Sequence, residues 1–110
     1  MKIDKKRADS YCNKGDEYFQ QGKIDMAIEA FSKSLQLEPN NRLAHNNRGV
    51  AYAQKEEFAK AIADFEAAVL IDPQIAHYKK NLKKAQEDLT LQEKKAAAVP
   101  KKKSRKDPQN

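Results

Sequence analysis

Residues 13–20 read NKGDEYFQ and residues 47–54 read NRGVAYAQ, with the same asparagine, glycine, tyrosine and glutamine at the same offsets. The agreement continues downstream, because residues 27–39 read AIEAFSKSLQLEP and residues 61–73 read AIADFEAAVLIDP. Each pair is separated by 34 residues. A fixed period of this length is typical of an array of stacked helical units, each of which buries its apolar face against the next.

The residue types that recur have physical roles in a helical hairpin. Glycine inside a helix costs about 1 kcal/mol relative to alanine, so its recurrence predicts close approach of a second helix. The aromatic residues are expected to fill the space within each hairpin. Proline lacks an amide hydrogen and is expected to stop the second helix. Eight identities are found when residues 8–41 are aligned with 42–75: Asn13/Asn47, Gly15/Gly49, Tyr18/Tyr52, Gln20/Gln54, Ala27/Ala61, Ile28/Ile62, Phe31/Phe65 and Pro39/Pro73.

The apolar periodicity predicts an all-α fold made of tandem helix-turn-helix units. A fifth helix has one narrow apolar stripe, which is typical of a solvating helix that covers the open end of a stack. Its stripe consists of Ile75, Tyr78, Leu82, Ala85 and Leu89. Helices are predicted over about 5–20, 24–37, 42–54, 58–71 and 74–96. The predicted organisation is an extension of the first helix (1–7), two repeats (8–41 and 42–75), a capping helix (76–96) and a disordered basic tail (97–110).

The net charge of +6 is unevenly distributed. Seven basic residues and one acid lie from Lys94 onward, so the preceding chain is neutral. Two interpretations of this tail stay open: a solvated terminus, or an electrostatic tether that binds nucleic acid, a ribosome or an anionic membrane. Its cluster also resembles a nuclear localisation signal, for a host with a nucleus. The candidate residues are Lys101, Lys102, Lys103, Arg105 and Lys106.

The sequence carries no motif of a catalytic or cofactor site. It contains no phosphate-binding loop, dinucleotide fingerprint or HExxH helix. The single cysteine, Cys12, is predicted to be a residue that packs between helices. His45 and His77 have no metal-ligand partners at suitable spacing. We therefore expect a protein that is not an enzyme and uses no metal or cofactor. The absence of a long apolar run predicts a soluble cytoplasmic chain without a transmembrane segment, or a nuclear one in a eukaryote.

With glycine, tyrosine, alanine, phenylalanine and proline at fixed offsets over about residues 8–96, the sequence resembles the tetratricopeptide repeat family. Departures from the family pattern are Tyr11 and His45, where a tryptophan or another large apolar residue is frequent. Lys14 and Arg48 replace a favoured leucine. The resemblance implies a right-handed superhelix of antiparallel helix pairs. Its concave groove, lined by the first helix of each pair, would hold a peptide or helix of another protein, as in an adaptor, scaffold or co-chaperone-like module.

Mapped onto this sequence, the resemblance implies a groove formed by eleven residues. The amide side chains either pair with a ligand backbone or face water. The apolar ones either anchor a partner or are covered by the capping helix. The implied groove residues are Asn13, Asp16, Phe19, Leu43, Asn46, Asn47, Val50, His77, Lys80, Asn81 and Lys84.

The family's clamp for acidic chaperone tails is poorly matched. Of its five positions only Asn47 fits, while Cys12, Asp16, His77 and Asn81 occupy the others. The Asp16 carboxylate would also repel an acidic tail. A chaperone C-terminal tail is therefore disfavoured as the partner. Because two repeats are fewer than the three usually needed, end-to-end stacking into a weak homodimer is a further hypothesis.

Overall fold

The computed structural model describes residues 4–105, with side chains for residues 4–98. Within that range the chain forms five helices and no strand, which confirms the predicted all-α class. The first two pairs are antiparallel hairpins that match the predicted repeats, and the predicted boundaries of these four helices are confirmed. The helices are α1 (Lys5–Gln20), α2 (Ile24–Leu37), α3 (Arg42–Gln54), α4 (Phe58–Ile71) and α5 (Ala76–Arg105).

The first helix of each hairpin is capped by a side chain. Asp4 accepts a hydrogen bond from the Arg7 amide at 3.0 Å, and Asn41 accepts one from the Ala44 amide at 3.0 Å. These bonds satisfy amides that have no partner inside a helix. Asp4 and Asn41 are therefore the N-caps of α1 and α3.

The turn within each hairpin contains one residue whose backbone adopts the left-handed conformation, with a positive φ. Gly22 has φ +80° in the first hairpin, and Glu56, 34 residues later, has φ 61° in the second. The surrounding bonds also repeat, because Lys23 N–H donates to Tyr18 O and Glu57 N–H donates to Tyr52 O, each at 2.9 Å. The two turns share one geometry, although only the first has the glycine that adopts it without strain.

Glycine lets the two helices of each hairpin approach closely, as the sequence predicts. A β-carbon at position 15 would lie 2.5 Å from Phe31 Cε1, and one at position 49 would lie 2.7 Å from Phe65 Cε1. Both phenylalanines are buried, and each centres one of the two core clusters. The hairpins are thus two copies of one packing solution.

The fifth helix closes the stack. Its Ala85 is buried in the second core cluster with Ala61 and Phe65, and Leu82 packs against the same cluster. Tyr78 is also buried. These residues belong to the apolar stripe noted in the sequence, which is the face of α5 that packs on the second hairpin.

The C-terminal boundary differs from the prediction. The segment 97–110 was expected to be disordered, whereas α5 continues as a helix to Arg105. The prediction relied on the missing apolar stripe. Ala96, Ala97 and Ala98 are strong helix formers that extend α5 beyond its stripe, whereas the continuation past Pro100 has no explanation in helix propensity. Among the basic residues of the tail, Lys101, Lys102, Lys103 and Arg105 lie in these last turns, and Lys106 lies outside the described residues.

Two negative findings hold for the part of the chain that the structure describes. None of its helices is long and apolar enough to cross a membrane. It also holds no group of three His, Cys, Asp or Glu side chains arranged to bind a metal ion.

Candidate functional site

Three helices, α1, α3 and α5, present side chains to one continuous surface, here called the groove face. Its helices are joined by side-chain hydrogen bonds that cross from α1 to α3 and from α3 to α5. Asn13, Asn47 and Asn81 occupy the same register on the three helices, at intervals of 34 residues. The repeat therefore places one asparagine on each helix of the groove face.

A chain of polar side chains runs across this face. Asn47 Nδ2 donates to Asp16 Oδ1 at 3.0 Å, and Asn46 Nδ2 donates to Asn47 Oδ1 at 3.4 Å. Asn81 Nδ2 donates to Asn46 Oδ1 at 2.9 Å and lies 3.5 Å from His77 Nε2. We call these five residues the amide chain. Because each bond joins two of its members, their side chains are oriented before any ligand binds.

Asn46 is deeper than the sequence predicts. Its side chain is buried, at 4% exposure, and both ends of its amide are used by Asn47 and Asn81. It therefore does not reach a ligand, contrary to its predicted place in the groove lining. It orients the two half-buried asparagines beside it, which are accessible from the groove face.

A cleft of about 410 Å³ with a mixed polar and apolar lining lies between α3 and α5, next to the amide chain. Val50, Ala53 and Ala85 contribute its apolar wall, and Lys84 and Asp88 lie on its rim. Val50 is half-buried against the second core cluster. The capping helix therefore covers Val50 partly and leaves part of it accessible, which combines the two interpretations that the sequence left open.

The remaining predicted residues lie at the edges of the groove face. Phe19 is half-buried against the first core cluster, so much of its area already stabilises the fold. Leu43 is 53% exposed and is available to a partner. Asn13, His77, Lys80 and Lys84 are exposed. With the exception of Asn46, the structure therefore leaves every predicted groove residue at least partly accessible.

The two ends of the groove face differ in charge. On α1, burial raises the pKa of the half-buried Asp16 carboxyl, an effect that the Asn47 hydrogen bond partly offsets. Nearby Cys12 is buried, and burial together with the charges of Asp16 and Asp9 raises the pKa of its thiol to about 11. Such a thiol is protonated at neutral pH and poorly nucleophilic, which agrees with the packing role predicted for Cys12.

The opposite end, on α5, is basic. His77, Lys80, Lys83 and Lys84 line a shallow surface along this helix. Lys84 pairs with Asp88 at 3.2 Å. Lys80 forms no ion pair within the described residues, so its positive charge is not neutralised locally.

A second polar cluster, which the sequence analysis did not predict, joins the two hairpins. Arg48 Nε and Nη2 donate to the two oxygens of Asp64, each at 2.8 Å, and Arg48 Nη1 donates to Ser32 Oγ at 3.0 Å. His45 Nε2 donates to Pro39 O at 2.9 Å. His45 and Arg48, two of the departures from the family pattern, thus join α3 to α4 and to the preceding hairpin.

Asp64 is the buried centre of that cluster. Burial alone would raise the pKa of its carboxyl, but hydrogen bonds from His45 and Arg48 outweigh burial and lower it. A signal was present in the sequence, because Asp64 lies between Ala61 and Ala68 on the buried stripe of α4. A carboxylate in that register requires a cationic partner.

Comparison with known proteins agrees with this geometry. A family model described as "TPR repeat" matches residues 15–56, and one described as "Tetratricopeptide repeat" matches residues 43–75. The first TPR of Spaghetti (RPAP3), solved bound to an HSP90 peptide, is 31% identical with a TM-score of 0.77. That similarity covers 79% of this chain and 69% of the other. The chain belongs to the tetratricopeptide repeat family.

Two further members of this family are informative. RNA polymerase II-associated protein 3 of Rattus norvegicus is 35% identical over 71 residues, which is 64% of this chain but 11% of that protein. The second TPR domain of human RPAP3, solved with an HSP70 peptide, is 26% identical, with a TM-score of 0.73. That match covers 76% of this chain and 70% of the domain. This tetratricopeptide repeat chain thus spans about a tenth of the length of the curated relative.

Proposed function

We propose that the groove face binds an extended segment of another protein, so that this tetratricopeptide repeat chain acts as an adaptor domain and not as an enzyme. The observation that carries this proposal is the pre-oriented pair Asn47 and Asn81. Both are accessible, both are held by bonds to other members of the amide chain, and a cleft with an apolar wall adjoins Asn81.

Both asparagines keep hydrogen-bonding capacity for a ligand. Asn47 uses one amide hydrogen on Asp16 and one acceptor site for Asn46, which leaves one hydrogen and one lone pair. The Oδ1 of Asn81 accepts no hydrogen bond from the residues that the structure describes. A peptide backbone offers alternating donors and acceptors that match these groups, and an apolar side chain of the peptide can occupy the cleft.

The similar solved structures support a peptide ligand, since two of them hold the chaperone peptides SRMEEVD and SGPTIEEVD. The charge of the groove face supports a different peptide chemistry. Asp16 puts a carboxylate on α1, and like charges at close range repel. We propose that acidic chaperone tails bind this chain more weakly than they bind those domains.

The test is selection from a random peptide library displayed on phage, using the full chain as bait. The chain is expected to enrich a defined peptide motif, and Asn47→Ala is expected to weaken a selected peptide about tenfold, the loss of one or two hydrogen bonds. Asn40→Ala is the matched control, because Asn40 is exposed in the α2–α3 turn. Full affinity in Asn47→Ala, measured by fluorescence anisotropy, would exclude the groove face as the binding site.

The alternative function is an electrostatic tether through the basic residues from Lys94 onward, and the excess charge of +6 in this segment favours it. It predicts binding to an RNA homopolymer or an anionic vesicle that falls steeply with salt. It also predicts that a chain lacking residues 97–110 loses this binding. Peptide binding on the groove face is expected to survive the same deletion, so one truncated chain distinguishes the two functions.

The predicted cytoplasmic location and weak homodimer stay predictions. Sedimentation velocity over a range of concentrations tests the dimer, and a monomer at the highest concentration would contradict it. Imaging of a tagged chain in its own host tests the location.

A further inference from the structure

The groove face is electrically asymmetric along the direction of the amide chain. Asp16 lies at the α1 end, His77 lies at the α5 end, and three neutral asparagines lie between them. An extended ligand that follows the amide chain therefore meets a carboxylate first and basic side chains last.

At the α1 end, Asp16 has no cationic partner among the described side chains. Its Oδ1 accepts from the neutral amide of Asn47, which orients the carboxylate without cancelling its charge. Asp9 lies two helical turns earlier, on the same side of α1, and its charge is shared with Lys5 at 3.3 Å. A half-buried carboxylate that lacks a countercharge attracts a cation more strongly than one in bulk water.

The surroundings of the neighbouring thiol are also mostly negative. Cys12 lies one helical turn before Asp16, and burial is the main cause of its raised pKa. The charges of Asp16, Asp9 and Glu38 raise that pKa further, and the single charge of Lys5 opposes them.

At the α5 end the exposed side chains are mainly positively charged. Lys80 and Lys84 lie one turn apart beside Asn81, and Lys83 and His77 extend the same surface. Glu87 lines this surface too, and within residues 4–98 Lys84 is the one lysine of the three that forms an ion pair, with Asp88. The positive charge of this end thus exceeds what its own acids neutralise.

On the basis of the proposed peptide-binding function, we propose that the groove face selects peptides with a basic residue at the α1 end and an acidic residue at the α5 end. Asp16 binds the lysine or arginine, the asparagines pair with the peptide backbone, and Lys80 attracts the aspartate or glutamate. A uniformly acidic peptide satisfies only the second of these requirements.

The test compares peptide selections by the full chain and by three variants. Asp16→Asn keeps the hydrogen bond from Asn47, because an amide oxygen also accepts, and it removes the charge. Lys80→Gln removes the exposed charge on α5. Glu66→Gln is the control for Asp16→Asn, since Glu66 is exposed on α4 and both substitutions remove one negative charge.

The unmodified chain and Glu66→Gln are expected to enrich peptides with a base near one end and an acid near the other. Asp16→Asn is expected to lose the basic preference only, and Lys80→Gln to weaken the acidic preference only. Asp16→Asn is also expected to bind the acidic probe SRMEEVD about fivefold more tightly than the unmodified chain does. Far-UV circular dichroism verifies that each variant is folded.

Peptides with acids at both ends, or a basic preference that persists in Asp16→Asn, would overturn this proposal while leaving peptide binding intact. Selection that enriches no peptide at all would overturn the proposed function itself. The two failures are therefore distinguishable within one experiment.

Discussion

The two hairpins share an interior and differ in the surface at which a neighbouring unit stacks. Inside each, a glycine of the first helix receives a phenylalanine of the second: Gly15 with Phe31, and Gly49 with Phe65. At the stacking surface of the second hairpin, Arg48 joins Asp64 of its own hairpin to Ser32 of the preceding one.

In the first hairpin, the positions that correspond to Arg48 and Asp64 hold Lys14 and Ala30. These two residues line an open cleft of about 380 Å³. No helix of the described chain covers that cleft. The comparison shows that close apolar packing forms each hairpin, whereas the ionic cluster lies where the second hairpin contacts the preceding one. The glycine–phenylalanine interior recurs in both hairpins, and the ionic cluster occurs in the second alone within residues 4–98.

The largest expected effect comes from removing the centre of the ionic cluster. Asp64→Ala is expected to destabilise the chain by about 3 kcal/mol, because Arg48 would stay partly buried without its partner. Lys14 is exposed and occupies the position in the first hairpin that corresponds to Arg48. Lys14→Ala is therefore expected to change the free energy of unfolding by less than about 0.5 kcal/mol. Urea denaturation measures both. Equal effects would show that the two stacking surfaces do not differ energetically.

The contribution of Asp64 is expected to depend on pH. Its pKa is lowered in the folded chain, since the bonds from His45 and Arg48 outweigh burial. A carboxyl whose pKa is lowered by folding stabilises the fold at pH values above its pKa in the unfolded chain, which is near 3.9. That stabilisation is lost as the pH falls through its pKa in the folded chain. The difference in unfolding free energy between the unmodified chain and Asp64→Ala should therefore shrink below about pH 4. A constant difference down to pH 2 would contradict the assignment.

Filling the glycine contacts tests the shared interior. Gly15→Ala and Gly49→Ala are each expected to cost about 2 kcal/mol, because overpacking against the phenylalanine exceeds the gain in helix propensity. Gly15→Ala is expected to cost slightly more, since its contact is closer. Replacing Phe31 by leucine in the Gly15→Ala chain should recover part of the loss in a double-mutant cycle. Additive effects would mean that the two residues do not contact.

The smallest expected effects are at the turns. Gly22→Ala is expected to cost about 1 kcal/mol because of its positive φ, while Glu56→Gly should gain about 0.5 kcal/mol by relieving the same conformation in the second hairpin. Thermal and urea unfolding measure both variants. Destabilisation by Glu56→Gly would show that the glutamate side chain makes a contact that outweighs the backbone strain.

Most of the fold could be predicted from local signals. Helix-period apolar residues, the recurrent glycine and phenylalanine, and the stopping prolines act within one hairpin, where contacting residues are close in sequence. The extent of α5 was harder to predict, because its apolar stripe ends at Leu89 and Pro100 lowers the helix propensity of the segment that follows.

The candidate site was only partly predictable for the same reason. The period of 34 residues placed Asn47 and Asn81 on corresponding helices, and both are accessible on the groove face. Asn46 is adjacent in sequence to Asn47, yet a helix rotates by about 100° per residue. That rotation points Asn46 towards α5, where it is buried and bonded.

The all-α class, the two hairpins and the helices that form the groove face could be predicted from the amino-acid sequence alone. Which polar residues are paired inside the protein and which face solvent depends on how the helices pack. Arg48 and Asp64, for example, are 16 residues apart and meet only because α3 and α4 fold back on each other. Helical periodicity sets the direction of a side chain from its own helix, whereas burial and charge pairing depend on the neighbouring helix.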